Sequence, residues 1–256
     1  MKIEQLESAA GIVVAGHRGY KSAYPENTLL SFKRAMEVGC HMVEFDLRMS
    51  KDREVVVIHD TTVDRTTNGS GEVREKTLAE LKELDAGGWF APEFEGLKIP
   101  TFQELCQLLA GYPDILLNVE IKSSPDAKDT ADAAVELLHE HRLYERCVFT
   151  CFDAEITAYL YDHYGAKTQG FKAEVMRNFV TGEDGTYSKM WAIGIEMSLL
   201  NREDVQAFRD RGLQVWSYCP DTSDSVLYAV GCGTPIMTCN DPLPALRIKQ
   251  QLEGTV

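Results

Sequence analysis

No stretch of this 256-residue chain is apolar enough to cross a bilayer. The longest apolar runs, such as Ile115-Leu-Leu117, fall far short of the roughly 20 residues that a spanning helix requires, so stable membrane insertion is not expected. Cys-x-x-Cys pairs are also missing. The seven cysteines (Cys40, Cys106, Cys147, Cys151, Cys219, Cys232 and Cys239) are odd in number and dispersed, which argues against both a disulfide framework and a zinc knuckle. Reduced, mostly buried thiols are the expectation. Positive charge is scarce: 26 Lys and Arg face 40 Asp and Glu, a formal net charge of −14 with no offsetting basic cluster. Such a surface repels nucleic acid and anionic membranes, so an anionic substrate must find a local cationic site. The first residues, Met1-Lys-Ile-Glu-Gln-Leu-Glu-Ser8, lack the basic segment and apolar stretch of a secretory signal, and a cytoplasmic protein is expected. Internal repeats and low-complexity linkers are absent too.

What is present is an ordinary globular composition, 44% hydrophobic and 26% charged. Apolar or β-branched runs alternate with amphipathic helical patterns, the signature of βα units and a parallel sheet. Eight such runs lie near 12–16, 42–47, 115–121, 147–152, 168–171, 192–197, 213–218 and 235–238. Helical stretches fall at 28–38, 127–141, 154–164, 202–211 and 223–230. Eight parallel strands in a chain near the usual 250 residues predict an α/β fold, a (β/α)₈ TIM barrel. The alternation is expected to break once, at about 60–100, before a helix at 101–109. That interruption holds Asn68-Gly-Ser-Gly71 and a capping-box pattern Thr77-x-x-Glu80. It reads as a small insertion after the second strand, over the barrel mouth, within a single domain spanning 1–256. A second capping box, Thr101-x-x-Glu104, marks the return to barrel helices.

Chemistry-bearing residues collect at the carboxyl ends of these strands, where barrel enzymes keep their active sites. His17-Arg18-Gly19 ends the first run, Glu44-Phe-Asp46 lies in the second, and His59-Asp60 and Glu120-Ile-Lys122 follow later ones. Glu44 and Asp46 are two apart on a strand, so both carboxylates share a face at a metal-ligand spacing. The link Lys51-Asp-Arg-Glu54 is too short for a parallel crossover, so Val55-Val-Val-Ile58 should form an antiparallel hairpin with the second strand. A turn centred between Asp52 and Arg53 would set His59 opposite Asp46, whereas a one-residue shift would put them on opposite faces. Other readings stay open here. Glu120 and Lys122 could be a cross-strand charge pair, Trp216 could be core packing, and Asn27 reads as the N-cap of the helix at Thr28.

Taken in order, these segments resemble the glycerophosphodiester phosphodiesterase family. The resemblance rests on His17-Arg-Gly-x5-Pro25-Glu-Asn-Thr28, Val43-Glu-Phe-Asp46, Val57-Ile-His59-Asp60 and Asp64-Arg-Thr-Thr-Asn-Gly-Ser-Gly71. It continues through Leu84-Asp-Ala-Gly87, Ile99-Pro-Thr101, Asn118-Val-Glu-Ile-Lys122 and Val215-Trp216, nearly the whole chain. Each piece alone is weak, and their order and spacing make the signal specific.

The resemblance implies a (β/α)₈ barrel and a metal-dependent phosphoric diester hydrolase, releasing sn-glycerol 3-phosphate and an alcohol from a small glycerophosphodiester. Glu44, Asp46 and Glu120 would hold one Mg²⁺ or Ca²⁺, as hard cations favour carboxylate oxygens. His17 and His59 would be the acid/base pair, Arg18 and Lys122 would bind phosphate oxygens, and Trp216 would wall the glycerol or head group. Either the glycerol 2-hydroxyl or water would be the nucleophile. Cleavage of lysophospholipids, or a non-catalytic binding module on the same barrel, are the alternatives; the assembly would be a monomer or homodimer. The C-terminal motifs depart from the family, with Ser217-Tyr-Cys-Pro220 after Trp216 and Thr238-Cys-Asn-Asp-Pro242 at the last strand. Those loops shape the mouth, and so the substrate choice.

Overall fold

Runs of residues that prefer a pleated, buried surface become strands, and the parity of their side chains builds the barrel. The structure, a computed structural model, describes residues 3–6 and 11–254. Part of the N-terminal segment read above for an export signal lies outside the described residues. The strands are β1 (Val13–His17), β2 (Met42–Met49), β3 (Val55–Val57), β4 (Leu116–Ile121), β5 (Cys147–Thr150), β6 (Thr168–Phe171), β7 (Ala192–Glu196), β8 (Gln214–Tyr218) and β9 (Ile236–Cys239). Their order is β1-β9-β8-β7-β6-β5-β4-β2, and a parallel β1–β2 pairing closes the ring. All eight expected parallel strands are there, and the fold is the (β/α)₈ barrel. The helices are α1 (Leu29–Glu37), α2 (Leu78–Glu83), α3 (Phe102–Ala110), α4 (Ala127–Glu140), α5 (Ala154–Tyr164), α6 (Arg202–Asp210), α7 (Ser223–Cys232) and α8 (Leu243–Glu253). Among the described residues, no helix is long and apolar enough to cross a membrane.

The interior of the ring changes character along its axis. Val13, Met42, Leu116, Val148, Ala192, Trp216 and Ile236 form one buried apolar cluster, joined by Ile3 and Leu6 of a short 3₁₀ turn. Two residues further along a strand the same face turns polar: Leu116 gives way to Asn118 and Glu120, and Met42 to Glu44 and Asp46. A larger cluster fills the space between the strands and the surrounding helices, with Phe32, Phe45, Phe102 and Leu138 fully buried. Each such side chain contributes on the order of 2 kcal/mol through burial.

Three expectations need correction. The alternation breaks twice, because β6 and β7 are joined by residues 172–191 with only a 3₁₀ turn at Thr186–Lys189. Gly182 (φ 108) and Asn178 (φ 55) in this segment take left-handed backbone, which is incompatible with helix. The hairpin exists, but its register is one residue off: Leu47 pairs with Val57 and Arg48 with Val56, so the Ile58 amide meets the Asp46 carbonyl at 3.0 Å. The cause is a three-residue turn, 51–53, centred on Asp52 with Arg53 in the left-handed region (φ 67), where a turn centred between Asp52 and Arg53 was expected. Finally, Thr28, not Asn27, caps α1, accepting the Ser31 amide at 3.2 Å.

The insertion before α3 makes its own small core from Val56, Ile58, Val63, Val73, Leu81 and Ile99. It is closed at its base by Val57 N–H donating to Pro100 at 2.9 Å. Both expected capping boxes form, at Thr77/Glu80 and Thr101/Glu104.

Candidate active site

β2 and β4 deliver the carboxylates. Their parallel register sets Asp46 beside Glu120, and Glu44 lies two residues before Asp46 on the same face. One ligand atom from each of Glu44, Asp46 and Glu120 falls within 4.8 Å of the others, all three residues being buried. The turn after β1 brings in the next groups. Arg18 (φ 56) and Gly19 (φ 83) are left-handed, and a Cβ on Gly19 would lie 2.4 Å from Ser31 Oγ, so only glycine fits. This turn aims the Arg18 amide at Glu44 Oε2, 2.8 Å away. The Arg18 side chain then lies 3.3 Å from Asp46 Oδ2 and 2.8 Å from Glu26 Oε1. Lys122, at the end of β4, pairs with Glu120 and stands 3.5 Å from Asp46 Oδ1.

Both histidines reach the same cavity of about 150 Å³, with Arg18, Glu44, Glu120, Lys122 and Tyr218. His17 is where β1 ends, its Nε2 3.8 Å from Glu44. His59 arrives despite the shifted register, because β3 stops at Val57 and strand alternation no longer governs residue 59. Each ring is held through Nδ1. His17 Nδ1 lies 2.7 Å from Asn240 Oδ1, and the Asn240 amide nitrogen donates to Asp221 Oδ2 at 2.6 Å. That second bond orients the amide, so Nδ1 of His17 carries the proton and Nε2 its lone pair. His59 Nδ1 likewise donates to Asp60 at 2.6 Å, and Asp60 is gripped by Arg65 at 2.7 Å.

Electrostatics separates these groups. Burial, with Lys21 and Arg18 nearby, pushes His17 down to about 3, and burial also lowers His59, so both imidazoles are neutral at pH 7. Burial raises Glu44 well above the usual carboxylate range, and Asp46 and Glu120 add like-charge repulsion. Burial likewise raises Glu120. Asp46 shifts the other way: burial opposes its charge, but Lys122, Arg18 and the Asn27 hydrogen bond outweigh it. Glu44 Oε1 and Asp46 Oδ1 are buried without a hydrogen bond, the second meeting only the Lys122 ammonium at 3.5 Å. Carboxylate oxygens left with lone pairs uncommitted to hydrogen bonds in one acidic cluster are those a hard divalent cation would take, so the residues fit such an ion.

Sequence reasoning missed several participants. Asn27 (φ 56) donates Nδ2 to Asp46 Oδ2 at 2.7 Å; its place in Pro25-Glu-Asn-Thr28 was a signal, and the N-cap reading concealed it. Glu26 bridges Arg18 and Arg65, and Asn240 orients His17 across more than 220 residues of chain. Trp216 is not brought to the cavity. It is fully buried in the apolar cluster below, edge-on to Trp191 at 6.3 Å, because even spacing from the strand end puts Tyr218 one layer higher. The aromatic wall consists of Tyr218, Phe171 and Phe152, the last two stacked 3.6 Å apart.

Buried, mutually repelling carboxylates beside neutral imidazoles at the carboxyl mouth of a barrel cost stability and are the arrangement of an enzyme centre. The glycerophosphoryl diester phosphodiesterase family model matches residues 17–242, and the chain belongs to that family. A glycerophosphodiester phosphodiesterase of Caldanaerobacter subterraneus subsp. tengcongensis is 44% identical over 55% of this chain and 58% of its own length, so the chain spans little more than half of that relative. A glycerophosphodiester phosphodiesterase of Bacillus subtilis is 30% identical over 83% of this chain and 78% of its own. A phosphodiesterase from Oleispira antarctica, solved in complex with the product sn-glycerol-3-phosphate, superimposes with a TM-score of 0.83 at 25% identity, covering 94% of this chain and 98% of that one.

Proposed function

We propose that this protein is a single catalytic unit, the insertion included, that hydrolyses glycerophosphodiesters to sn-glycerol 3-phosphate and an alcohol. The observation that carries the reading is the convergence of three buried carboxylates, two Nε2-presenting histidines and two cations on one small cavity. Glu44, Asp46 and Glu120 would hold one divalent cation, Mg²⁺ or Ca²⁺. When bound, it would supply positive charge against the negative charge that builds on phosphorus as the ester breaks. Charge balance supports this. Three carboxylates with Arg18 and Lys122 leave one negative charge. A divalent ion turns that to one positive charge, equal and opposite to a phosphodiester.

Arg18 and Lys122 now neutralise Asp46, Glu26 and Glu120, and they are the groups to turn toward phosphate oxygens, Arg18 through its fork and Lys122 as a point charge. In an in-line displacement one of His17 and His59, neutral with its Nε2 lone pair free, takes the nucleophile's proton, while the other must enter the step protonated at Nε2, a state the bound anionic diester favours, to give that proton to the leaving alkoxide. The first step leaves the base protonated and the acid neutral, so their roles exchange in the second half. Phe152, Phe171 and Tyr218 would cover the glycerol carbons. The cavity of about 150 Å³ matches a glycerol phosphate better than an acyl chain. The seven cysteines are free, six of them buried, which supports a cytoplasmic setting.

The test is release of sn-glycerol 3-phosphate from glycerophosphocholine by the purified protein with Mg²⁺, with Ca²⁺ and after EDTA. Metal-dependent release is expected, and a cyclic glycerol phosphate in the ³¹P spectrum would identify the 2-hydroxyl as nucleophile. A folded sample that releases nothing under any of the three conditions would sink the reading.

A further inference from the structure

A larger cavity, about 500 Å³, lies beside the catalytic one, between the insertion at Thr61 and Arg74 and the loop after β4 at Ser123 and Ser124. The two are neighbours along the chain at two strand ends: Lys122 lines the first and Ser123 the second, as do Phe152 and Asp153. Arg48 lines the larger cavity, and its Nε donates to the His59 carbonyl at 2.8 Å. The second half of a diester whose phosphate sits among Arg18, Lys122 and the histidines would extend toward this cavity.

The charges of this cavity are not equivalent. Arg74 is joined to Asp126 at 3.7 Å, and Asp153 accepts the Asn178 amide at 3.0 Å and the Glu155 N–H at 3.0 Å. Glu72 and Arg177 stand exposed at the rim. Arg48 differs from all of them: it is only 9% exposed, and among the described residues no carboxylate forms an ion pair with its guanidinium. Arg18, Lys122 and Arg65, by contrast, are paired with Glu26, Glu120 and Asp60. Arg48 Nε is committed to a carbonyl and its terminal nitrogens are left to the cavity, where a planar fork fits a carboxylate.

We propose that this cavity receives the alcohol half of the substrate and that Arg48 selects alcohols carrying an anionic group, a carboxylate above all. The proposal rests on the phosphodiesterase reading and concerns its specificity. Glycerophosphoserine and glycerophosphoethanolamine differ by one carboxylate, so the ratio of their kcat/KM values isolates the contact. Wild-type protein is expected to favour glycerophosphoserine by about 10-fold or more, the scale of one charge-assisted hydrogen bond. Arg48→Gln should bring the ratio to near one, the serine diester losing more than the ethanolamine diester whatever common loss follows from the freed His59 carbonyl, and Arg48→Lys should keep part of the preference. Ser124→Asp, which adds negative charge to the cavity without altering β2, should lower the ratio too and serves if Arg48→Gln does not fold. Equal losses on both substrates would mean that Arg48 merely props the His59 carbonyl, and the proposal would fall. It would fall equally if the wild type showed no preference. Cleavage of neither diester by the wild type is a separate result, and it would overturn the parent reading as well.

Discussion

The two ends of the barrel interior are made by the same strands and could hardly differ more. At the amino end Val13, Met42, Leu116, Val148, Trp216 and Ile236 pack as a dry layer. Two to four residues further along, His17, Glu44, Asp46, Asn118, Glu120 and Thr150 line a cavity or bury charge. The first layer is stabilised by burial. The second is tolerated because the first supports it: Glu44 is ionised only against burial and two like charges. Stability and chemistry are thus divided along the barrel axis, and each end should respond to substitution in its own way.

The sharpest test of that division is His17→Ala. kcat/KM should fall by about 10²- to 10⁴-fold, the usual worth of a positioned acid or base, while the thermal midpoint stays near that of the wild type. Unfolding of the variant would break the comparison. At the other end, Leu116→Ala should cost about 2–5 kcal/mol in chemical denaturation, because it opens a cavity in the dry layer. Activity per folded molecule should survive.

The polar end titrates and the apolar end cannot. Glu26, held between Arg18 and Arg65, is lowered from 4.5 to about 2, with its own burial working against those cations. A depressed folded-state value stabilises the fold above the unfolded value and is lost as pH falls from 4.5 through about 2. The contribution is about 3 kcal/mol at most, so acid unfolding should be shallower across that window in Glu26→Gln. Next in size, Glu44→Gln should raise the stability of the metal-free protein by about 1–2 kcal/mol, since it removes a buried like charge. The same change should abolish any increase in thermal midpoint on adding Mg²⁺ or Ca²⁺, read by calorimetry. The smallest effect is expected at Trp216→Phe, roughly 1 kcal/mol of stability with kcat/KM within about two-fold. A large kinetic loss there would return Trp216 to the substrate wall.

Much of this was legible in the chain because it is local. Strand periods, capping boxes, the Glu44/Asp46 spacing and the carboxyl-end positions of His17, Glu120 and Lys122 depend on neighbours a few residues apart. The errors are equally physical. The hairpin register hung on whether residue 53 adopts positive φ, a preference too weak in arginine to read from sequence. Asn27 looked like a cap because capping and carboxylate binding call for the same amide. Trp216 was misplaced by one layer, since a motif beside a strand end does not say which of two same-face residues reaches the mouth.

Periodicity by itself determined the barrel, composition its charge, and the order of short motifs the candidate side chains at the strand ends. Tertiary structure alone decided which of them meet. Asn240 orients His17 and Glu26 ties Arg18 to Arg65 only because ring closure puts β1 beside both β9 and β2. Likewise Arg48, residues of the insertion and the loop after β4 come together around one cavity only in the folded chain. Contacts of that kind depend on where backbone far apart in the chain is placed, and no short-range pattern encodes that.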